Sequence, residues 1–467
     1  MSPTSSTIPS SILIVGSGVF GLSTAYALAR RNDFQKTKIT LLERLDFPAP
    51  DAASIDSSRI IRPDYADPAY AALMAEAHPY WRGEFGAEGR YTEAGLCLVA
   101  DVDSPAAGSD AKRDDEEAHY YLVKALNNVK YQLGLKVGRR EEGGQVELLQ
   151  TPEDVKRVMA SMGGECGTRG YVNWTSGWAH AEEGMKYLRR LVEATGRVEL
   201  RTAEVKRLRY GSEKVESVEL ITGEQLSADL IVLATGAWTP KLLDLRGIAS
   251  ATGQVLAYID ITQEEQDRLG GNPTLLCETS GMFIIPPRDR VLKVAMHGYG
   301  YANPTSISHP EHPESGETIT VSLPRTKHDD PNANIPPAGD RVCREYLAKT
   351  IPDLATRPWT HTRLCWYTDT HNGDWLISYH PTYNNLFVAT GGSGHAYKFL
   401  PVIGERIVDI VKGQDKDDLG KQLRDKWAWP EKRRQEDHIW TDDWRGGTKG
   451  MILDEELTKG SGVRARL

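Results

Sequence analysis

The chain has 467 residues, a formal net charge of −9 at pH 7 and 40% hydrophobic residues. This length allows a large buried core and about three domains, or one body with a second domain inserted into it. The acidic balance argues against binding to nucleic acids or anionic membranes, because contacts to phosphates need clustered lysines and arginines.

The sequence also argues against a membrane or secreted protein. No stretch reaches the roughly 18 consecutive apolar residues of a spanning helix, and the first ten residues lack the basic and apolar regions of a signal peptide. The cysteines have no CxxC spacing, so we expect no metal site and no disulfide framework, but a reducing intracellular compartment. They are Cys97, Cys166, Cys277, Cys343 and Cys365.

The first predicted elements are a strand, a glycine-rich turn, a helix and a second strand. Apolar residues 12–15 lead into the spacing GxGxxG, and a second apolar strand over residues 39–42 ends at Glu43. Such glycines allow a tight turn and close backbone approach to a pyrophosphate at the helix N-terminus, while the acid accepts from a ribose. This unit predicts an adenine dinucleotide site; the alternative is an ordinary glycine-rich turn. The glycines are Gly16, Gly18 and Gly21.

The middle of the chain is predicted to mix helices and short strands. Residues 102–118 are acidic and polar, and residues 303–340 are rich in Pro, His, Asp and Asn, which predicts a long surface excursion. Periodicity and apolar runs indicate the remaining elements. They are helices over residues 120–135 and 181–195, a strand near 198–200 and a buried parallel strand over 230–233.

Residues 291–297 have the pattern of a strand with two different faces. Lys293 and His297 would share a face with Ala295 between them, roughly 13 Å apart at about 3.3 Å per residue. A buried lysine there could stabilise a developing anion. The alternative is an edge strand with both polar side chains in solvent. The opposite face is predicted to hold Leu292, Val294 and Met296.

Cys365 is a candidate nucleophile. Arg363 lies two residues earlier, on the same face of a predicted strand, where its charge would favour the thiolate. A thiolate can attack an electrophilic carbon of a cofactor. The alternative is a small buried hydrophobic residue.

Several motifs together resemble the flavin-dependent amine oxidases of the monomeric sarcosine oxidase family. Within this family the chain is most similar to the fungal branch of saccharopine oxidase, pipecolate oxidase and fructosyl amino acid oxidase. The similarity runs from residue 12 to about residue 413. The motifs are Ser58-Arg59-Ile60-Ile61-Arg62 with Asp64-Tyr65, Ala234-Thr235-Gly236-Ala237-Trp238, Leu292-Lys293 with His297, Cys365 before Tyr367-Thr368, and Gly394-His395 with Lys398-Phe399.

The resemblance implies FAD as the cofactor, attached covalently by a thioether from Cys365 to the flavin 8α carbon. It implies that Lys293 promotes reaction with oxygen, that Arg59 lies beside the isoalloxazine ring and that His297 lines the substrate pocket, so these three are the candidate catalytic residues. The other candidate cofactor-binding residues are Gly16, Gly18, Gly21, Glu43, Arg44, Ser58, Gly236, Gly392, Gly394 and Lys398.

The resemblance also implies a substrate carboxylate held by Arg62 and Lys398. The alternative for Arg62 is that it neutralises Asp64. Amadori-product oxidases carry an acid four residues after the lysine, where this chain has His297, so fructosyl amines are disfavoured. Ala396-Tyr397 replaces the usual Gly-Phe, which adds a methyl and a hydroxyl group near the predicted carboxylate site.

The implied fold class is α/β (α+β), with a Rossmann-type FAD-binding domain and an inserted antiparallel-sheet substrate domain of the DAO/glutathione-reductase-like kind. The predicted ranges are 1–90, 150–240 and 355–430 for the FAD-binding domain, 91–149 and 241–354 for the substrate domain, and 431–467 for a C-terminal tail.

The implied activity is oxidation of a secondary-amine amino acid of the saccharopine, pipecolate or N-alkyl type. Hydride transfer to FAD would give an imine, and O₂ would reoxidise the flavin and give H₂O₂. Alternatives are a fungal tailoring oxidase acting on an N-methyl or tyrosine-derived amine, a fructosyl amino acid oxidase, or a flavin-binding protein without turnover. A nicotinamide reductase is disfavoured because there is no second GxGxxG unit for NAD(P)H.

The expected partners are a small-molecule amine and O₂, with no nucleic acid and no membrane, and the resemblance implies a monomer. Ala465-Arg466-Leu467 is similar to the Ser-Lys-Leu peroxisomal address. With H₂O₂ as a product, this predicts a peroxisomal location through an import receptor, the cytoplasm being the alternative.

Overall fold

The helices of the computed structural model lie between its strands and after the last of them. The structure describes residues 8–101, 111–436 and 438–459. The helices are α1 (Val19–Arg30), α2 (Pro68–Arg82), α3 (Ala111–Asn127), α4 (Pro152–Val158), α5 (Ala181–Ala194), α6 (Thr239–Leu242), α7 (Gln263–Leu269), α8 (Pro337–Thr350), α9 (Ile403–Val411), α10 (Asp418–Lys426) and α11 (Leu453–Thr458).

The strands fall into two large sheets and three small ones. They are β1 (Ser11–Val15), β2 (Lys38–Glu43), β3 (Arg59–Ile61), β4 (Tyr91–Thr92), β5 (Leu96–Ala100), β6 (Val146–Leu149), β7 (Arg169–Asn173), β8 (Gly177–Ala179), β9 (Val198–Thr202), β10 (Val205–Tyr210), β11 (Val215–Leu220), β12 (Gln225–Leu226), β13 (Leu230–Leu233), β14 (Ala249–Asp260), β15 (Thr274–Cys277), β16 (Met282–Arg288), β17 (Val291–Met296), β18 (Pro304–Ser308), β19 (Thr318–Ser322), β20 (His361–Thr370), β21 (Leu376–Tyr379) and β22 (Leu386–Thr390).

The first large sheet is the dinucleotide-binding type predicted from the sequence. Its order is β21-β22-β13-β1-β2-β9, with β21 antiparallel to β22 and the other pairs parallel. Ile12 and Ile14 of β1 pack towards helices α1, α5 and α9, whereas Leu13 and Val15 pack towards β10 and β11. Both faces are therefore covered, which explains why its strands are continuous apolar runs.

The second large sheet has the order β20-β14-β17-β16-β15-β5-β7-β6 and is antiparallel except for β15 with β5. Its core contains Leu292 and Val294 on one face, while Ala295 and Val291 pack with Cys365 on the other. The predicted alternation of residues 291–297 is thus confirmed, and so is the fold class.

One predicted segment is wrong. Residues 303–340 are not too polar to pack, because they contain the hairpin of β18 and β19 and the start of α8. Ile319 and Val321 are buried at 3% exposure, and Ser322 Oγ donates to the Ala251 carbonyl. The composition of the segment did not predict this hairpin, because the apolar residues of a short strand alternate with polar ones and are a minority.

The other predicted elements are present. The helix over 181–195 is α5, the strand near 198–200 is β9, and the run over 230–233 is β13. The periodicity over 120–135 corresponds to the end of α3 and a π-helical turn, Asn128–Gln132. Residues 102–110 of the acidic segment lie outside the described residues.

The strands partly follow the predicted domain ranges, which stay a prediction. The six-stranded sheet draws on all three ranges assigned to the FAD-binding domain, but β7 and β20 from those ranges pair into the eight-stranded sheet. In the predicted tail, Ile439, Trp444 and Leu453 are buried. No helix within residues 8–101, 111–436 and 438–459 is long and apolar enough to cross a membrane.

Candidate active site

A groove opens at the carboxyl ends of β1, β2 and β13. Its empty volume is about 1320 Å³, including the part open to solvent. Strand order reverses here, since β2 and β13 flank β1 on opposite sides, and ligands of open parallel sheets bind at such points. The predicted residues that line the groove are Gly16, Gly18, Glu43, Arg44, Arg59, Gly236, Gly392 and Gly394.

The glycine-rich turn leaves room for a phosphate. Gly16 has a φ of +99°, which favours glycine, and a Cβ on Gly21 would lie 1.8 Å from the Gly16 carbonyl oxygen. A Cβ on Gly18 would meet no described atom within 4 Å. Gly18 caps α1 without a side-chain hydrogen bond, so the N–H groups of the first turn face the groove unshielded. The turn therefore fits the pyrophosphate of a dinucleotide.

An acidic and a basic residue, Glu43 and Arg44, lie at the carboxyl end of β2, where they line the groove. The carboxylate of Glu43 accepts from the Ser17 N–H at 2.9 Å and from the Arg44 N–H at 2.7 Å. The Arg44 guanidinium lies 4.9 Å from the centroid of the Trp238 ring and pairs with Asp329 at 2.8 Å. This arrangement fits the ribose and adenine end of the cofactor.

The opposite end of the groove is closed by the loop that follows β22. Gly394 has a φ of +72°, and a Cβ there would lie 2.2 Å from the ring of Tyr367. Gly392 is flanked by Phe20 and Ala396 at 3.6 and 3.5 Å from its ideal Cβ position. Close approach and the positive φ explain the glycine at position 394, whereas a Cβ at position 392 would make only ordinary van der Waals contacts.

Lys293 is buried beside this end of the groove, with 2% exposure. Its Nζ donates to the Ser58 carbonyl at 2.6 Å and lies 3.2 Å from Asp56 Oδ2. Burial lowers the pKa of Lys293 to about 8. The edge-strand alternative is wrong, because β17 lies between β14 and β16.

Cys365 lies on β20 with 2% exposure. The guanidinium of Arg59 donates to its Sγ at 3.6 Å. The predicted cation, Arg363, instead donates to the carbonyls of Ile55 and Pro50 at 2.9 and 3.1 Å. The expected positive neighbour is therefore present, but Arg59 rather than Arg363 makes the contact, because the Arg363 side chain extends to the segment before β3.

Arg62 and Lys398 lie together in a buried polar cluster. Lys398 Nζ donates to the Tyr65 hydroxyl at 2.8 Å and to the His395 carbonyl at 2.9 Å. Burial and the neighbouring Arg62 hold the pKa of Lys398 well below its usual range. Arg62 Nη2 donates to the Tyr121 hydroxyl at 3.0 Å, while its buried Nη1 has no hydrogen-bond partner among the described residues.

The alternative role of Arg62 is supported in part: the Asp64 carboxylate accepts from Ser176 at 2.7 Å and from Asn173 at 3.0 Å, and the charge of Arg62 opposes the rise that burial causes in the pKa of Asp64. His297 follows β17 and is half-buried. Burial, together with nearby Arg445 and Arg62, holds the pKa of His297 well below its usual range. Its imidazole is therefore neutral at neutral pH.

The substituted Ala396-Tyr397 pair does not bring a free hydroxyl to this cluster. The Tyr397 hydroxyl donates to the Ala181 carbonyl at 2.9 Å. A Cβ on Gly184 would lie 2.2 Å from this hydroxyl. Tyr397 thus links the loop after β22 to α5 by a hydrogen bond, and it also lines the groove.

Comparison with known proteins shows the family to which the chain belongs. Residues 11–410 match the family of FAD dependent oxidoreductases. The chain belongs to this family. The oxidoreductase is 32% identical to the amino acid oxidase imqH of Aspergillus flavus, over 90% of this chain and 98% of that one. It is 29% identical to the L-saccharopine oxidase of Schizosaccharomyces pombe, over 92% of this chain and 95% of that one.

A solved structure has the same fold. Amadoriase II, the fructosamine oxidase of Aspergillus fumigatus, is 24% identical to the oxidoreductase and superposes with a TM-score of 0.76, over 96% of both chains. The predictions of an FAD-dependent amine oxidase and of its fold are confirmed by these comparisons, whereas the roles of individual side chains stay predictions.

Sequence reasoning missed three buried charged residues of the oxidoreductase. Asp56 contacts Lys293. Burial raises the pKa of Glu278 to about 7, and its Oε1 has no hydrogen-bond partner within the described ranges. Arg445, from the predicted tail, donates to the Ser393 carbonyl at 3.1 Å. Asp56 could have been singled out as an acid shortly before Arg59. The sequence around Glu278 and Arg445 contains no motif or periodicity that points to them.

Proposed function

We propose that this oxidoreductase acts as a monomeric oxidase of secondary-amine amino acids. The observation that carries the proposal is half-buried Arg62, whose buried Nη1 has no hydrogen-bond partner among the described residues, beside buried Lys398. An unsatisfied buried donor costs about 1–3 kcal/mol, and a substrate carboxylate would remove this cost. Planar guanidinium groups bind carboxylates well because two N–H donors match two oxygens.

The two cations would also orient the substrate. A carboxylate fixed between Arg62 and Lys398 leaves the adjacent C–N unit little freedom, and positioning of this kind lowers a reaction barrier by removing orientational entropy beforehand. An anion bound there would raise the pKa of Lys398 again, because it stabilises the ammonium form. Neutral His297 lies near both cations and would add no competing charge.

FAD, when bound, would supply the redox chemistry: it takes a hydride from the carbon next to nitrogen, leaving an imine, and O₂ takes both electrons to give H₂O₂. The contribution of the protein is electrostatic. Lys293 and Arg59 place positive charge where negative charge develops during reaction with oxygen. Burial of Lys293 strengthens this effect because water does not screen it.

The proposal is tested by an oxygen-consumption screen. The candidates are saccharopine, pipecolate, sarcosine, proline and fructosyl amino acids, each compared with its decarboxylated or amide analogue. We expect O₂ uptake and equimolar H₂O₂ with at least one of saccharopine, pipecolate, sarcosine and proline, and none with their analogues or with fructosyl amino acids. Equal rates with the decarboxylated analogues would contradict the carboxylate site and favour the tailoring-oxidase alternative.

We further propose that FAD is attached covalently to Cys365. Its Sγ lies 3.6 Å from the guanidinium of Arg59, which lines the groove, so the sulfur lies within reach of a flavin bound there. Sγ would lose its proton and bond the 8α-methyl carbon, this methyl group would lose one hydrogen, and O₂ would take up the two electrons released. The product is a thioether that survives unfolding.

Acid precipitation of the flavin-loaded protein is therefore expected to give a yellow pellet, and that of Cys365→Ala a colourless one. Cys277→Ala is the matched control. Cys277 is similarly buried in the same sheet, but it belongs to a different hydrophobic cluster from Cys365. A colourless pellet from the parent protein would refute covalent attachment.

A peroxisomal location is proposed on the basis of H₂O₂ production and of Ala465-Arg466-Leu467, which lies outside the described residues. The peroxisomal sarcosine oxidases of mouse and human are 23% identical over 85% of this chain. We expect the full chain with an N-terminal fluorescent protein to colocalise with a peroxisomal marker in fungal cells. Deletion of the three residues should release it to the cytosol, and an unchanged distribution would contradict the proposal.

A further inference from the structure

A buried carboxylate, Asp56, joins the two cations proposed to face the flavin. Its side chain is 1% exposed, and it precedes Arg59 by three residues. Its Oδ2 lies 3.2 Å from Lys293 Nζ and also pairs with Arg59 Nη1. Its Oδ1 accepts from the Tyr258 hydroxyl at 2.8 Å and from the Ser57 N–H at 2.7 Å. Donors from β14, β17 and the segment before β3 therefore fix both oxygens.

The Ser58 carbonyl also accepts from Lys293 Nζ, at 2.6 Å, but it carries no net charge. The ring centroid of Phe283, on β16, lies 5.7 Å from Nζ, and the Tyr258 hydroxyl, on β14, is engaged with Asp56. Arg59, on β3, lowers the pKa of Lys293, while the Cys365 sulfur, on β20, has the opposite effect. Among the residues that the structure describes, Asp56 is the carboxylate in direct contact with the ammonium.

The charges of this cluster depend on one another. Burial lowers the pKa of Lys293 to about 8, and Asp56 opposes this fall. Although burial alone would raise it, the cations Arg59, Lys293 and Arg363 hold the pKa of Asp56 well below its usual range. Removing one partner from a buried ion pair leaves the other charge uncompensated.

We propose that Asp56 is a positioning residue that keeps Lys293 charged and holds Lys293 and Arg59 at one place beside the flavin. This inference rests on the proposed oxidase function. Asp56 itself makes no contact with substrate; it acts through the two cations. It also links β3, which carries Arg59, to the eight-stranded sheet, which carries Lys293.

The sign of the effect follows from the contacts. Without the carboxylate, burial and Arg59 still disfavour the ammonium, so the pKa of Lys293 should fall further, by about 1 to 3. Lys293 would then be neutral at neutral pH. Reaction of the reduced flavin with oxygen should therefore be slow at neutral pH and should recover as the pH is lowered.

The direct experiment is an NMR titration of the FAD-loaded protein carrying ¹³Cε-labelled lysine. The Lys293 signal is identified by its absence from Lys293→Met. We expect its midpoint near 8 in the parent, clearly lower in Asp56→Asn, and close to the parent value in Asp56→Glu, which keeps the charge. Asp244→Asn is the control, because Asp244 is a buried carboxylate paired with Arg246 outside the site. An unchanged midpoint in Asp56→Asn would overturn the proposal.

The kinetic experiment needs no amine, because the flavin can be reduced photochemically. We expect the pH profile of reoxidation to move to lower pH in Asp56→Asn and to be restored in part by Asp56→Glu. If the parent oxidises none of the amines while both titrations behave as expected, the proposed substrate fails and the Asp56 assignment stands. If Asp56→Asn does not fold, Asp56→Glu decides: a profile identical to that of Lys293→Met would overturn the assignment.

Discussion

Lys293→Met should slow reoxidation of the reduced flavin by about 10²- to 10³-fold, the usual loss when a preorganised charge is removed from a reacting centre. Anaerobic reduction by the amine should be nearly unchanged. The ammonium matters when oxygen becomes anionic, and it does not when a hydride leaves carbon. The burial of Lys293 at 2% exposure makes the charge hard to replace by water.

The pH dependence of the parent gives a second test of the same residue. Burial lowers the pKa of Lys293 to about 8, so the ammonium is present below this pH and is lost above it. Reoxidation of the parent should therefore slow as the pH rises through about 8, and Lys293→Met should remove this dependence.

Stopped-flow traces of the two half-reactions separate these effects. Lys349→Met is the control, because Lys349 pairs with Asp101 away from the groove and should leave both half-reactions intact. Equal losses in reduction and reoxidation of Lys293→Met would mean that the lysine is structural.

Lys398→Met should weaken binding of amino acid substrates by about tenfold to over a hundredfold, since a charge-assisted hydrogen bond is worth about 1.5–3 kcal/mol. The limiting rate of flavin reduction should fall as well, because the same contact orients the C–H bond. Loss of Nζ would also leave the Tyr65 hydroxyl and the His395 carbonyl without this donor.

Amide and ester analogues distinguish lost charge recognition from general damage. They should bind the parent poorly, and Lys398→Met should bind them almost as well as the parent does. The Kd values follow from anaerobic titration of the flavin spectrum, again with Lys349→Met as the control. If Lys398→Met weakened the binding of acids and of amides by the same factor, this result would contradict the contact between Lys398 and the substrate carboxylate.

The sequence by itself determined the cofactor half of this protein. Gly16, Gly18 and Gly21 lie within one turn, and Glu43 ends the next strand, so local geometry and apolar runs were enough to predict the dinucleotide site. The same holds for β17, whose alternation predicted that Lys293 and Leu292 face opposite sides. In such segments a period of two residues directly gives the direction of each side chain.

Only the tertiary structure decided which charges meet. Arg59 contacts Cys365 across 306 positions of sequence, and Asp56 pairs with Lys293 across 237. A one-residue change in strand register, or another rotamer of a long arginine, would exchange these partners without changing the local pattern. Arg363 illustrates this: its charge interacts with Cys365, as its position on β20 suggested, but its hydrogen bonds go to backbone carbonyls and Arg59 makes the contact with the sulfur. Arg445 enters the site from residues that had no periodicity, since its place is set by bridges between the C-terminal segment and the loop after β17, at Gly298 and Ala302.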